Sequence, residues 1–223
     1  MIKIVLFDLD DTLISEHEYI KSGYSTIASY LSENYFIERK QIYEELLELF
    51  YIEKKNVFNR WFEKHGIFYS KAEVINLVNL YRNHIPNIKF FEDVIPLLEY
   101  LKEKEIPVGI ISDGYKETQR KKIQVLKAKE YFDKIILTDE LGSEYWKPHT
   151  RSFELMKEFF QVNYDEMMYV GDNPEKDFYI KKSYPIRTIR IMREESVYTE
   201  ALYYGNIMED NRIFSLEELK SCF

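Results

Sequence analysis

Five short apolar runs, separated by stretches of helical periodicity, constrain this chain more than any other feature. They are IKIVLF at 2–7, PVGII at 107–111, KIIL at 134–137, MMYV at 167–170 and IRTIRI at 186–191. All are short and rich in β-branched or aromatic side chains, as strands buried on both faces require. Between them, Val94, Leu97, Leu98 and Leu101 form an i, i+3, i+4, i+7 stripe, and Phe153, Met156 and Phe160 form another. Strand and helix in alternation predict an α/β fold, a Rossmann-like doubly wound parallel sheet covered by helices on both faces.

One segment breaks the alternation. From 15 to 88 no strand pattern occurs, only helical stripes in series. They are Ile20, Tyr24, Ile27, Ala28 and Leu31; Ile42, Leu46, Leu49 and Phe50; Val57, Trp61 and Phe62; and Val74, Leu77, Val78 and Tyr81. The expected organisation is an inserted helical domain at 15–88 between two core pieces, 1–14 and 89–223. Ile85-Pro86-Asn87 marks its return, because proline disfavours continued helix in the residue before it. The tail from 196 to 223 is expected to complete the core with helices and to carry no chemistry.

The first strand raises the functional question, because it runs straight into three carboxylates, Asp8, Asp10 and Asp11. Acids closing so apolar a strand need a partner. In an open parallel sheet, ligands bind beyond the carboxyl ends of the strands. There the sequence places Asp8 and Asp10 after the first strand, then Ser112-Asp113-Gly114 after the second. A longer loop reaching Trp146-Lys147-Pro148 follows the third strand, and GDNPEKD, with Asp172 and Asp177, follows the fourth. Residues two apart on extended chain point the same way, so Asp8 and Asp10 share one site while Asp11 is expected to be solvated or to form a turn. A hard cation such as Mg²⁺ would hold these carboxylates together. Read singly, Ser112 and Asp113 are ordinary helix caps and Lys147 a surface lysine. None of the four histidines has metal-ligand spacing.

These segments resemble, in order, the four motifs of the haloacid dehalogenase-like hydrolases. DLDDTL at 8–13 resembles the first, with Asp11 where glycine is frequent; IIS at 110–112 resembles the second, Lys147 the third and GDNPEKD at 171–177 the fourth. The resemblance spans 1–14 and about 89–195. The insertion falls where the family carries a helical cap, and SEHEYIKSGYSTIASYL at 15–31 resembles the first cap helix of its small phosphatases.

The resemblance implies a hydrolase of phosphoric monoesters. Asp8 would be the nucleophile, forming an aspartyl-phosphate. Asp10 would protonate the leaving oxygen and later take a proton from water. Mg²⁺ would be held by Asp8, Asp172 and the backbone carbonyl of Asp10. Ser112, the N–H groups around Asp113 and Gly114, and Lys147 would bind the phosphoryl group, and Asp177 would orient the metal site or Lys147. The cap would close over substrate on hinges near 13–17 and 85–90, with specificity in the cap and in the loop 139–146.

A phosphomutase of the same fold keeps every one of these residues, and a non-catalytic phosphate-responsive binding module is the rival from another class. A metal-independent dehalogenase would not need Asp10. The expected partner is a small phosphorylated metabolite, a sugar or nucleoside phosphate. The formal net charge of -8 argues against a nucleic-acid partner. No apolar stretch approaches the roughly 20 residues of a membrane span. With one cysteine, Cys222, and no secretory pattern at the start, the expected location is cytoplasmic. Oligomeric state is not legible.

Overall fold

A computed structural model describes residues 1–198 and 201–223. Among the described residues six strands are formed: β1 (Ile4–Phe7), β2 (Val108–Ser112), β3 (Lys134–Leu137), β4 (Met167–Gly171), β5 (Arg187–Ile191) and β6 (Asn211–Ile213). The longer helices are α1 (Glu16–Tyr35), α2 (Arg39–Ile52), α3 (Val57–Lys64), α4 (Lys71–Asn83), α5 (Val94–Glu103), α6 (Lys116–Val125) and α7 (Arg151–Phe160). The chain divides into two compact units, Met1–His17 with Ile88–Phe223, and Glu18–Asn87.

The first unit is built on a parallel sheet of order β3-β2-β1-β4-β5-β6. From β1 the chain runs outward through β2 and β3 on one side, then resumes at β4 on the other. That reversal opens a crevice at the carboxyl ends of β1 and β4, where doubly wound sheets bind their ligands. Phe7 lies opposite both Ile110 and Val170, so these strands end at nearly one level. All residues of β1, β2 and β4 are buried, which accounts for apolar runs that do not alternate. Phe153 and Met156 of α7 pack with Ile4, Leu6, Ile111, Ile136 and Tyr169 in one apolar cluster.

The second unit has a core of its own around Trp61, Phe62, Leu46, Leu31 and Leu77. Its α4 starts at a capping box: the Ser70 hydroxyl accepts from the Glu73 N–H, and Glu73 accepts from the Ser70 N–H at 2.7 Å. One carboxylate, Glu45, is buried here and accepts from Trp61 Nε1 at 3.0 Å, with His65 Nε2 at 2.6 Å.

The tail departs from the sequence expectation. A further strand, β6, extends the sheet in parallel with β5, and a 3₁₀ segment over Leu216–Cys222 follows in place of an α-helix. NRI is three residues long with two exposed, so it offers neither a long apolar run nor a period to read. Among the described residues, no helix is long and apolar enough to cross a membrane.

Candidate active site

The β1–β4 crevice gathers the acids that the sequence singled out. Asp8 follows β1, its N–H donating to the Val170 carbonyl at 2.8 Å so that the ladder continues into it. Asp172 follows β4, and Asp177 turns back from the same loop. One carboxylate oxygen from each of Asp8, Asp172 and Asp177 lies within 4.8 Å of the others, and all three residues are buried.

Such a cluster needs positive charge, and Lys147 supplies part of it. Its Nζ donates to Asp8 Oδ1 at 2.6 Å, Asp177 Oδ1 at 2.7 Å and the Tyr169 hydroxyl at 2.7 Å. A lysine ammonium has three protons, and here each meets an acceptor. Burial works against the ammonium, but Asp177, Asp8 and Asp113 outweigh it and hold Lys147 above its ordinary value. Asp8 is pushed up to about 6 by burial, an effect that Lys147 only partly offsets.

Asp172 is less well compensated. Its Oδ2 accepts from the Ser196 hydroxyl at 2.9 Å, while Oδ1, although buried, has no hydrogen-bond partner among the described residues. Burial, with Asp177 and Asp8 adding to it, pushes this carboxyl well above its usual range. A buried oxygen with open lone pairs, on a residue clustered with two other carboxylates, suits a hard divalent cation.

Asp177 is held by its own loop. Its Oδ2 accepts from the Asn173 N–H at 2.9 Å, and its carboxylate lies against the α-carbon of Gly171. A β-carbon at position 171 would stand 2.5 Å from Asp177 Oδ2, so the glycine that opens GDNPEKD is there for close approach.

The segment after β2 forms the other wall. Ser112 is buried at the strand end, and Gly114 has φ +119, a left-handed conformation that favours glycine. Neither Ser112 nor Asp113 caps α6, contrary to the bland reading of those residues. The helix starts after Tyr115, and Asp139 Oδ2 accepts from the Lys116 N–H at 3.0 Å. The Asp113 carboxylate instead accepts from Thr138 Oγ1 at 2.7 Å and from the Lys147 N–H at 3.1 Å, and it pairs with Lys176 Nζ at 3.3 Å. Burial raises this carboxyl, but Lys147 and Lys176 outweigh it and leave Asp113 below its ordinary value. Asp113 thereby fixes where the Lys147 backbone crosses the site.

Asp10 sits apart from the acid cluster in its side-chain bonds. Its Oδ1 accepts from Lys122 Nζ at 2.6 Å and its Oδ2 from Gln119 Nε2 at 2.7 Å. Asp11 is a turn residue as expected, with φ +51, but it is buried rather than solvated. Its two oxygens accept the N–H groups of Glu16 at 2.8 Å and Val197 at 2.9 Å.

Several site residues escaped the sequence reading. Gln119 and Lys122 belong to the polar helix KETQRKKIQV, whose pattern gives no reason to single them out. Tyr169 reads as a core aromatic, and Ser196 lies in the tail that was expected to carry no chemistry. Lys176 lies inside GDNPEKD, where nothing in the sequence separates it from the other charges of the loop.

A sequence model of the family described as haloacid dehalogenase-like hydrolase matches residues 5–191. The chain belongs to that family. Relatives and a solved structure that it is similar to are phosphatases. A glyceraldehyde 3-phosphate phosphatase of Methanocaldococcus jannaschii is 26% identical, with 98% of this chain and 96% of the archaeal protein covered. The pyrophosphatase PpaX of Bacillus cereus is 27% identical over 77% of this chain and 75% of its own. The crystal structure of a phosphatase of this family from Thermococcus onnurineus superposes with a TM-score of 0.64 at 26% identity, covering 99% of this chain and 97% of that one.

Proposed function

We propose that this hydrolase is a Mg²⁺-dependent phosphatase that cleaves a small phosphomonoester through an aspartyl-phosphate on Asp8. The observation that carries this reading is the buried Asp8–Lys147–Asp177 arrangement beside an Asp172 oxygen with no partner among the described residues. An anionic nucleophile meeting an anionic phosphate needs positive charge on both sides of the attack. Lys147 is one source, and Asp8 and Asp172, with the Asp10 carbonyl, would hold Mg²⁺ as the other, Asp177 orienting Lys147. When bound, the ion supplies charge neutralisation at the phosphoryl oxygens.

In this mechanism a carboxylate oxygen of Asp8 bonds to phosphorus as the phosphorus–ester oxygen bond breaks. The departing oxygen takes a proton from the Asp10 carboxyl. Asp10, now a carboxylate, removes a proton from water, whose oxygen bonds to phosphorus as the Asp8–phosphorus bond breaks. Ser112 and the N–H groups of Asp113 and Gly114 orient the phosphoryl group. The near full-length match to a phosphatase of a three-carbon sugar phosphate favours a sugar phosphate over a nucleoside phosphate as the substrate class. The Glu18–Asn87 unit would act as the cap, and a cytoplasmic location fits a chain with one cysteine.

The test is phosphate release from an aryl phosphate, glyceraldehyde 3-phosphate and pyrophosphate, with Mg²⁺ or EDTA, by wild type and Asp8→Asn. Mg²⁺-dependent release that Asp8→Asn abolishes is expected. No release from any of the three would overturn the reading. Substrate that left hydrogen exchange at 13–17 and 85–90 unchanged would remove the closing cap from it.

A further inference from the structure

Lysine is rarely buried without a reason. On α6, Lys122 is 3% exposed and Gln119 1%, although the helix is mostly polar and an apolar pair would fill the same space without desolvating a charge. Three positions apart, the two side chains lie on one helix face. They end on the same carboxyl group: Lys122 Nζ on Asp10 Oδ1 at 2.6 Å, Gln119 Nε2 on Asp10 Oδ2 at 2.7 Å. Each oxygen of Asp10 therefore receives its own donor.

The amide of Gln119 also reaches the Ser112 hydroxyl at 2.7 Å and the Asp113 carbonyl at 2.8 Å. With three acceptors around Nε2, and no partner for Oε1 among the described residues, the amide can face only one way. The Asp10 side chain keeps 20% of its surface open, while that of Lys122 keeps 4%. Asp10 is thus gripped from behind and open in front.

We infer that Lys122 and Gln119 are positioning residues that fix the Asp10 carboxyl where it meets the leaving oxygen. Neither needs to touch substrate. This inference rests on the phosphatase reading, in which Asp10 serves the leaving group. Its consequence is selective, because a nitrophenolate departs with little help from an acid, whereas an alkoxide needs a proton as the bond breaks. Loss of the clamp must then harm alkyl phosphates more than aryl phosphates.

The experiment compares kcat/KM for an alkyl phosphate and for p-nitrophenyl phosphate in wild type, Lys122→Met and Lys122→Arg. In Lys122→Met the alkyl value is expected to fall at least about tenfold further than the aryl value, a fraction of the rate that general acid catalysis supplies. Lys122→Arg, which keeps a donor, is expected to recover most of that ratio. Gln119→Leu reads the same ratio with the ion pair intact, should Lys122→Met not fold. Equal losses on the two esters, or an alkyl rate that survives, would overturn the clamp alone. No wild-type turnover of either ester would overturn the phosphatase reading and the clamp with it.

Discussion

Replacing Asp172 by asparagine is predicted to stabilise the metal-free protein while destroying its response to Mg²⁺. Asp172 is 2% exposed and lies within 4.8 Å of oxygens on Asp8 and Asp177. At that separation and an effective dielectric constant of about 20, each pair of like charges costs about 3.5 kcal/mol. Lys147 offsets much of this, and a net gain of about 2 kcal/mol for Asp172→Asn is reasonable once the carboxylate no longer has to be desolvated. The variant keeps an acceptor for the Ser196 hydroxyl, so little is lost in exchange. The gap widens as pH rises, because a carboxyl held above its usual range costs stability only once it ionises.

Urea denaturation in EDTA and in Mg²⁺ measures this effect. The two tryptophans fall one to each unit, Trp146 with the sheet and Trp61 in the helical core, so a Trp61→Phe background reports the sheet unit alone. Wild type is expected to gain about 2.7 kcal/mol at Mg²⁺ a hundredfold above its dissociation constant, and the variant almost nothing. An Asp172→Asn protein less stable than wild type in EDTA would refute the picture of an under-compensated acid cluster.

Removing the charge of Lys147 leaves Asp8 and Asp177 buried without their shared partner. Lys147→Met is expected to cost about 3–5 kcal/mol in urea denaturation and to abolish turnover. Gly171→Ala drives a β-carbon into Asp177, and roughly 1–3 kcal/mol of lost stability is expected, with weaker Mg²⁺ binding by titration calorimetry. The pH dependence has a definite sign. Asp8 is raised from 3.8 to about 6, so its favourable contribution to folding is complete below the lower value and is lost as pH rises through the upper one. In EDTA, wild type should lose stability across that window, and Asp8→Asn should lose less.

Much of the fold was legible because buried parallel strands leave an unambiguous trace. VGIIS and MMYVG are buried along their whole length and stop at the loops that line the candidate site. The acids were legible for the opposite reason, since Asp8 and Asp172 close apolar strands at a free-energy cost that only a ligand or a partner offsets. What supports the acids was hidden. Gln119 and Lys122 are polar residues on a polar helix, and their burial depends on Asp10 lying 109 and 112 positions away in sequence. Asp11 likewise looked exposed, because nothing in its neighbourhood announces that the Val197 N–H will meet it from the far end of the chain. The edge strand β6 carries too few residues for any periodicity to show.

The central claim is that Asp8 itself becomes phosphorylated. Rapid acid quench during turnover of an aryl phosphate with Mg²⁺, followed by mass spectrometry of the peptide bearing Asp8, tests it directly. A phosphoryl increment on Asp8 that appears with substrate, decays with turnover and is absent from Asp8→Asn is the predicted result. Sustained turnover with that peptide never modified, and with Asp8→Asn still active, would contradict the account.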